Sequence, residues 1–365
     1  VLFANAPAGS GRSVASYQGA RPLNKISLIP GRFCYYNGMR KYFGSKQIVT
    51  AIVIFITVVC LFGIVWLLSD RIRLEKELSA TKQQLTVAQT ESACTARDTW
   101  QSGSLRAFHT ESSGKQRTYY VHLPSNFSKN ISYPALLAFT GKGGDALQFA
   151  HTIGLNDLPA IIIYPAALPG TEGVTAWEGA PYSPKTNDVQ FISDILDRLE
   201  GQLCIQKSRI YSVGLSNGGG LSWLLSCQMS DRIAAFGMIS GAFYSPMADC
   251  HSARPAAIIN IHGDHDLLVP YDGSSQRKLP KISTWIKQRA KDNACKTAPT
   301  VTKPNASTEV TTWSGCAGGA TVQNIRLIGA GHGWPSSVMF GAGKKASLQE
   351  TNDVLWNFFV SHPMP

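Results

Sequence analysis

Charge is scarce in this chain, and negative charge scarcest. Of 365 residues only 16% are charged, with 23 Asp/Glu against 34 Lys/Arg. Beside a hydrophobic fraction of 44%, that scarcity excludes wholesale disorder, which needs low hydrophobicity and high net charge. No internal repeat and no low-complexity tract is present, so the fold is sought in one large domain or two modest ones. Nor does the net charge of +11 form a nucleic-acid-binding pattern. Residues 1–99 hold twelve Lys/Arg and five Asp/Glu, leaving only +4 for the other residues, and the excess reads as a solvated basic surface and membrane flank.

The longest absence of charge is local. Residues 48–68 contain no charged side chain over 21 positions rich in Val, Ile, Leu and Phe. At 1.5 Å per residue a helix of that length spans about 30 Å, the depth of a bilayer core. The run ends Trp66-Leu67-Leu68-Ser69-Asp70-Arg71, without the small residues of a signal-peptide cleavage site. An uncleaved transmembrane anchor is therefore expected. Met39-Arg40-Lys41 opens the basic stretch leading into it, and residues 1–38, within a cytoplasmic segment 1–47, read as an upstream extension or a start-site artefact, outside the fold. Residues 69–104 read as a polar stalk.

From residue 105 to 365 short apolar runs alternate with amphipathic stretches, which predicts an α/β domain with a mostly parallel sheet and helices on both faces. Strands are predicted at 117–122, 135–140, 160–164, 209–213, 234–239, 256–262 and 322–328. Helices are predicted along Val189, Ile192, Ile195, Leu196 and Leu199, just after Ser216, and over 282–292 and 348–360. Cys94, Cys204, Cys227, Cys250, Cys295 and Cys316 follow the apolar run, as do Asn-x-Ser sequons at Asn126, Asn130 and Asn305. An even cysteine set beside sequons points to an oxidising compartment. The expected orientation is N-terminus inside and the α/β domain outside the cytoplasm, at a cell surface, in a periplasm or in a secretory lumen.

Gly214-Leu215-Ser216-Asn217-Gly218 lies between a predicted strand and a predicted helix. A serine there sits on a tight turn that thrusts its hydroxyl above the sheet, and the α/β-hydrolase order of serine, acid, histidine follows. A serine hydroxyl is barely nucleophilic at neutral pH, so it needs a base and a group that orients the base. The strand 256–262 runs into Gly263-Asp264-His265-Asp266, and the strand 322–328 into Gly329-Ala330-Gly331-His332-Gly333-Trp334-Pro335. His332 is the expected base. Asp266 is the expected acid, with Asp264 its competitor, and His262 is read as a structural hydrogen-bonding residue. Oxyanion donors are expected from the backbone of Asn217 and from Gly141 and Lys142 in Gly141-Lys142-Gly143-Gly144. Trp177, Tyr182, Tyr244 and Trp334 are candidates to line a substrate pocket.

These stretches resemble the secreted esterases that include feruloyl esterases and polyhydroxybutyrate depolymerases, relatives of carbohydrate acetyl-esterases. The likeness rests on Ser208-Arg209-Ile210-Tyr211, Gly214 through Gly219, Asp231 through Phe236, Ser240-Gly241, His262 through Asp266, Val269-Pro270-Tyr271 and Gly331 through Pro335. It implies Ser216 as nucleophile, Asp266 as acid and His332 as base, acting on carboxylic esters that are feruloyl- or polysaccharide-linked or of polyhydroxyalkanoate type. The chain departs from that family at Thr140-Gly141, where His-Gly is usual. No metal or organic cofactor is implied, and the partner implied is an ester substrate; the membrane expected as a second partner follows from residues 48–68, which lie outside the resemblance. A serine peptidase with the same triad and an inactive surface-binding domain are the rival readings. Among disulfides, Cys295–Cys316 and Cys204–Cys227 are the expected pairs.

Overall fold

The structure is a computed structural model that describes residues 99–244, 252–296, 298–335 and 348–365, positions 96 and 250, and, within 50–71, residues 50, 52–61, 63–64, 66, 68 and 70–71. The chain divides into two compact units, residues 1–85 and 86–365. In the first, residues 52–61 are helical and their large apolar side chains are exposed, Phe55 at 69%. Among the described residues no helix is long and apolar enough to cross a membrane. The expectations for residues 1–47, and most of those for 69–95, lie outside the described residues.

The second unit begins with a hairpin, β1 (Leu105–Ser112) and β2 (Lys115–His122), followed by β3 (Tyr133–Phe139), helix α1 (Ala146–Thr152) and β4 (Ile161–Pro165). A two-residue ribbon, β5 (Leu168–Pro169) with β6 (Thr175–Ala176), precedes α2 (Asp188–Glu200). Then come β7 (Ile205–Leu215), α3 (Asn217–Gln228), β8 (Ala235–Ile239), β9 (Ala257–Gly263) and α4 (Ile282–Asp292). The hairpin β10 (Thr300–Asn305) and β11 (Thr308–Trp313), then β12 (Val322–Leu327) and α5 (Leu348–Val360), complete the order.

Ten strands form one sheet in the order β1-β2-β4-β3-β7-β8-β9-β12-β11-β10. The six from β4 to β12 are parallel to one another, and an antiparallel hairpin adds to each side of them. Side chains of a strand alternate between faces, and β3 shows it. Ala135, Leu137 and Phe139 enter a core with α2, α3 and α4, whereas Leu136 and Ala138 enter another with α1 and α5. With both faces covered, the central strands are continuous apolar runs, and each fully buried Leu or Ile contributes about 1.5–3 kcal/mol.

Two expectations are corrected. The segment up to residue 104 is not all stalk, because Ala96 and Trp100 are buried in the first core and the Ala96 N–H donates to Lys129 O at 2.7 Å. Cys227 pairs with Cys250, not Cys204, because the end of α3 packs beside the chain that follows β8 rather than beside the start of β7. Cys204 is itself disulfide-bonded. The expected Cys295–Cys316 pair is present, and it closes the base of the β10–β11 hairpin.

Candidate active site

The residues expected at the site lie on turns and loops that follow the parallel strands β7, β9 and β12. Ser216 links β7 to α3 at φ 56°, ψ −118°, a backbone region that non-glycine residues rarely hold. Its N–H donates to Ile239 O at 2.8 Å, and its carbonyl accepts from Ala242 N at 2.9 Å. The flanking glycines have a steric cause. A Cβ on Gly214 would run into the Gly218 carbonyl, and one on Gly218 into the carbonyls of Thr140 and Phe139. The elbow, the start of α3 and the end of β3 therefore touch through backbone alone.

His332 lies in the loop after β12, and its Nδ1 is 2.7 Å from Asp266 Oδ2. Both side chains are buried. Asp266 Oδ1 accepts from the N–H groups of Leu268 and Val269 at 2.9 and 2.7 Å. A second imidazole shares Oδ2: His262 Nε2 stands 3.2 Å from it and 2.8 Å from Val269 O. Burial opposes charge on Asp266, but the hydrogen bonds from His262, His332 and the Val269 N–H outweigh it and hold the carboxyl well below its ordinary range. Asp264, the competitor, faces elsewhere. It pairs with Arg326 at 2.9 Å and accepts from the Gly329 N–H at 2.7 Å, fastening the histidine loop from outside.

The serine and histidine loops share an anchor that sequence reasoning did not single out as functional. Ser240, at φ 46°, has its Oγ 3.2 Å from both Gly333 N and Gly333 O. It follows Ile239, the acceptor for Ser216 N–H. The signal available in the sequence was only its membership of Ser240-Gly241 after a strand.

The glycine loop after β3 lies against the elbow, where a Cβ on Gly141 would stand 3.2 Å from Ser216 Cβ. Lys142 turns its ammonium outward to Glu172 and over the Tyr182 ring at 4.2 Å. Asn217, with its side chain buried, is the first residue of α3, so its N–H lies at the positive end of the helix. The structure thus places Asn217 and Gly141 beside Ser216, with Lys142 next to Gly141 in the chain.

The aromatic candidates divide. Tyr182 and Tyr244 are half-buried, with hydroxyls 3.3 Å apart and rings edge to face. Trp177 and Trp334 do not line an open surface. Trp334 is buried against Phe149, its indole N–H donating to Asn352 Oδ1 at 3.1 Å. Trp177 is wholly buried beside Phe139. Both indoles found their polar partner inside the protein, as buried tryptophans usually do. Sequence reasoning also missed a buried ion pair, Arg117 to Asp188 at 2.7 Å, which holds the chain after Trp177: Asp188 Oδ2 accepts from the Glu178 N–H at 2.7 Å.

This chain is similar to known esterases in sequence and to one of known structure in fold. Feruloyl esterase B of Piromyces equi is 31% identical over 231 residues, covering 59% of this chain and 42% of that enzyme. A putative esterase, NocK, of Nocardia uniformis subsp. tsuyamanensis is 28% identical over 251 residues, covering 61% of this chain and 72% of that protein. The acetyl xylan esterase from Aspergillus awamori superposes with a TM-score of 0.51 at 15% identity, covering 71% of this chain and 99% of that one. That likeness supports the α/β-hydrolase fold. No protein-family model matches the chain. The chain spans less than half the length of the Piromyces enzyme.

Proposed function

We propose, from its relationship to feruloyl and acetylxylan esterases, that this protein is a serine carboxylic ester hydrolase working through Ser216, His332 and Asp266. The observation that carries the reading is the 2.7 Å bond between His332 and the buried Asp266, in a site that also presents Ser216 on a strained elbow. In the proposed reaction Ser216 Oγ attacks the ester carbonyl carbon while its proton passes to His332 Nε2. Asp266 keeps the imidazole oriented and stabilises the imidazolium. The oxyanion is met by N–H groups of Asn217 and of the Gly141-Lys142 pair. Collapse breaks the bond to the alcohol, which leaves with the proton from His332. Water, deprotonated by His332, then cleaves the acyl-enzyme and returns the proton to Ser216.

The substrate class proposed is feruloyl or polysaccharide-linked esters, because the relatives with printed activities act on such esters and the half-buried Tyr182–Tyr244 pair offers an aromatic wall with hydroxyls. Hydrolysis of methyl ferulate, acetyl-xylan, p-nitrophenyl acetate and a hydroxybutyrate oligomer by the purified protein tests this. The reading expects the first two to be turned over, and a strict preference for the hydroxybutyrate oligomer would refute the substrate class.

We also propose that residues 48–68 anchor the protein with the hydrolase unit outside the cytoplasm. The charge-free run, the helical residues 52–61 with outward apolar side chains, and the Cys227–Cys250 and Cys295–Cys316 disulfides support it. Protease added on the non-cytoplasmic side of the membrane, to intact cells for a surface protein, spheroplasts for a periplasmic one or inverted vesicles for a lumenal one, should digest the hydrolase unit. An esterase domain shielded until the membrane is permeabilised would refute the orientation.

A further inference from the structure

Trp177 lies in neither the elbow nor the triad loops, yet its segment touches every backbone element around Ser216 from which an oxyanion donor is expected. The indole Nε1–H donates to Thr140 O at 2.9 Å. Two residues upstream, Thr175 O accepts from Gly143 N at 2.7 Å, and Thr175 Oγ1 donates to Gly144 O at 3.1 Å. The glycine loop is thus gripped at Thr140, before Gly141-Lys142, and at Gly143 and Gly144, after it. The Gly143 N–H is consumed in that grip. The N–H groups of Gly141 and Lys142 make no backbone hydrogen bond among the described residues, so the grip leaves them as the loop's available donors.

The same segment reaches the other donor. Asn217 Oδ1 accepts from the Trp177 N–H at 2.6 Å, and Asn217 Nδ2 lies 3.4 Å from Trp177 O. Asn217 is the residue whose own backbone N–H begins α3 beside Ser216. Beyond Trp177 the chain is tied down in the interior. Glu178 and Asp188 exchange backbone-to-carboxylate bonds at 2.7 and 2.8 Å, and Asp188 is held by Arg117.

We infer that Trp177 is a positioning residue that sets the spacing of the two halves of the oxyanion site, its indole fixing the Thr140–Gly141 peptide and its backbone fixing Asn217. The inference rests on the esterase reading. A peptide plane is rigid, so a carbonyl held at Thr140 O also fixes the direction of the Gly141 N–H on the same plane. Oxyanion donors act by being in place before charge develops, without reorganising during the reaction. This clamp stands where the resembling esterases usually carry His-Gly and this chain carries Thr140-Gly141. The Thr140 hydroxyl is buried with no hydrogen-bond partner, so the Thr140 side chain does not perform the fastening and the indole does.

The test compares the parent protein, Ser216→Ala and Trp177→Phe on p-nitrophenyl acetate, with phenylboronic acid as a tetrahedral mimic. Removing one oxyanion donor outright costs on the order of 100- to 1,000-fold in kcat, so loosening the donors is expected to cost about 10- to 100-fold. KM should stay within about twofold, since only charge in the transition state is affected. The pH–rate profile should not move, because His332 and Asp266 are untouched. Phenylboronic acid should lose affinity by about the same factor as kcat.

A Trp177→Phe protein with kcat within about twofold of the parent overturns the inference. So does a rise in KM at unchanged kcat, which would make Trp177 a substrate contact. Should Trp177→Phe fail to fold by circular dichroism, Asn217→Ala breaks the other arm of the clamp. The same loss confined to kcat supports the inference there, and parental kcat overturns it. A parent without Ser216-dependent hydrolysis overturns the esterase reading itself. Ser216-dependent hydrolysis with a normal Trp177→Phe overturns only the clamp.

Discussion

Asp266 and Asp264 are two residues apart and have opposite surroundings. Asp266 is buried, with one oxygen on two backbone N–H groups and the other facing two imidazoles. Asp264 is fastened to Arg326, Gly329 and the exposed His265. Asp266→Asn should therefore lower kcat by about 10,000-fold by wrong orientation of His332, as in other triads, while Asp264→Asn should stay within about tenfold of the parent. Steady-state kinetics on one ester with both variants checks this, and the reverse order would move the orienting role to Asp264. The sequence showed two aspartates in one turn and did not distinguish them by spacing alone. The tryptophans mark the same limit. Trp177 and Trp334 were visible as aromatic residues near the site, but the direction of a side chain is set by tertiary packing, and both point inward.

Among elements, those buried on both sides were the legible ones. The strands β3, β4 and β8 are almost wholly apolar, β7 and β9 are mostly so where they are buried, and such runs stand out against polar helix faces. The hairpin β10–β11 was not legible. Its first strand, Thr-Val-Thr-Lys-Pro-Asn, is exposed at every position, and its second is intermediate at every position. Neither has an apolar face, and β-branched threonines were the available hint. The polar stretch between Cys295 and Cys316 holds this hairpin, added to the sheet edge beside β12. With little buried surface of its own, it depends on the Cys295–Cys316 bond at its base. Replacing both cysteines by alanine should cost about 3 kcal/mol in the chain-entropy model for a loop of this size. Denaturant titration of the two proteins under oxidising conditions measures it, and equal midpoints would show that the sheet alone holds the hairpin. The Cys227–Cys250 bond was missed because helix direction and strand order, both needed to see which chain lies under α3, are three-dimensional facts.

For the whole molecule, carboxyls with shifted titration link stability to pH. Asp266 and Asp264 are both held below their ordinary range: burial acts against the charge in each, and hydrogen bonds, from His262 and His332 in one and from His265 and the Gly329 N–H in the other, overcome it. A carboxyl depressed in the folded state contributes stability that is present above its unfolded value, about 3.9 for Asp, and is lost as pH falls through the folded one. Glu178 has the opposite sign. Burial raises it, so its charge penalises the folded state as pH rises above its unfolded value of about 4.3. The Tm of the hydrolase unit should accordingly fall below about pH 4, and it should fall less steeply in Asp266→Asn, which has no carboxyl to protonate. Thermal unfolding of parent and variant from neutral to acid pH checks the sign. Parallel curves would show that Asp266 carries no such linkage.

The central claim, that Ser216 is the nucleophile of an ester hydrolase, is tested most directly by covalent labelling. The purified protein is treated with a fluorophosphonate, and its intact mass, residual esterase activity and proteolytic peptides are measured. The account predicts one adduct, loss of hydrolysis in step with its formation, localisation to Ser216, and no adduct in Ser216→Ala. Hydrolysis that persists with Ser216 fully labelled, or an adduct on another serine that accompanies the loss of activity, would contradict it.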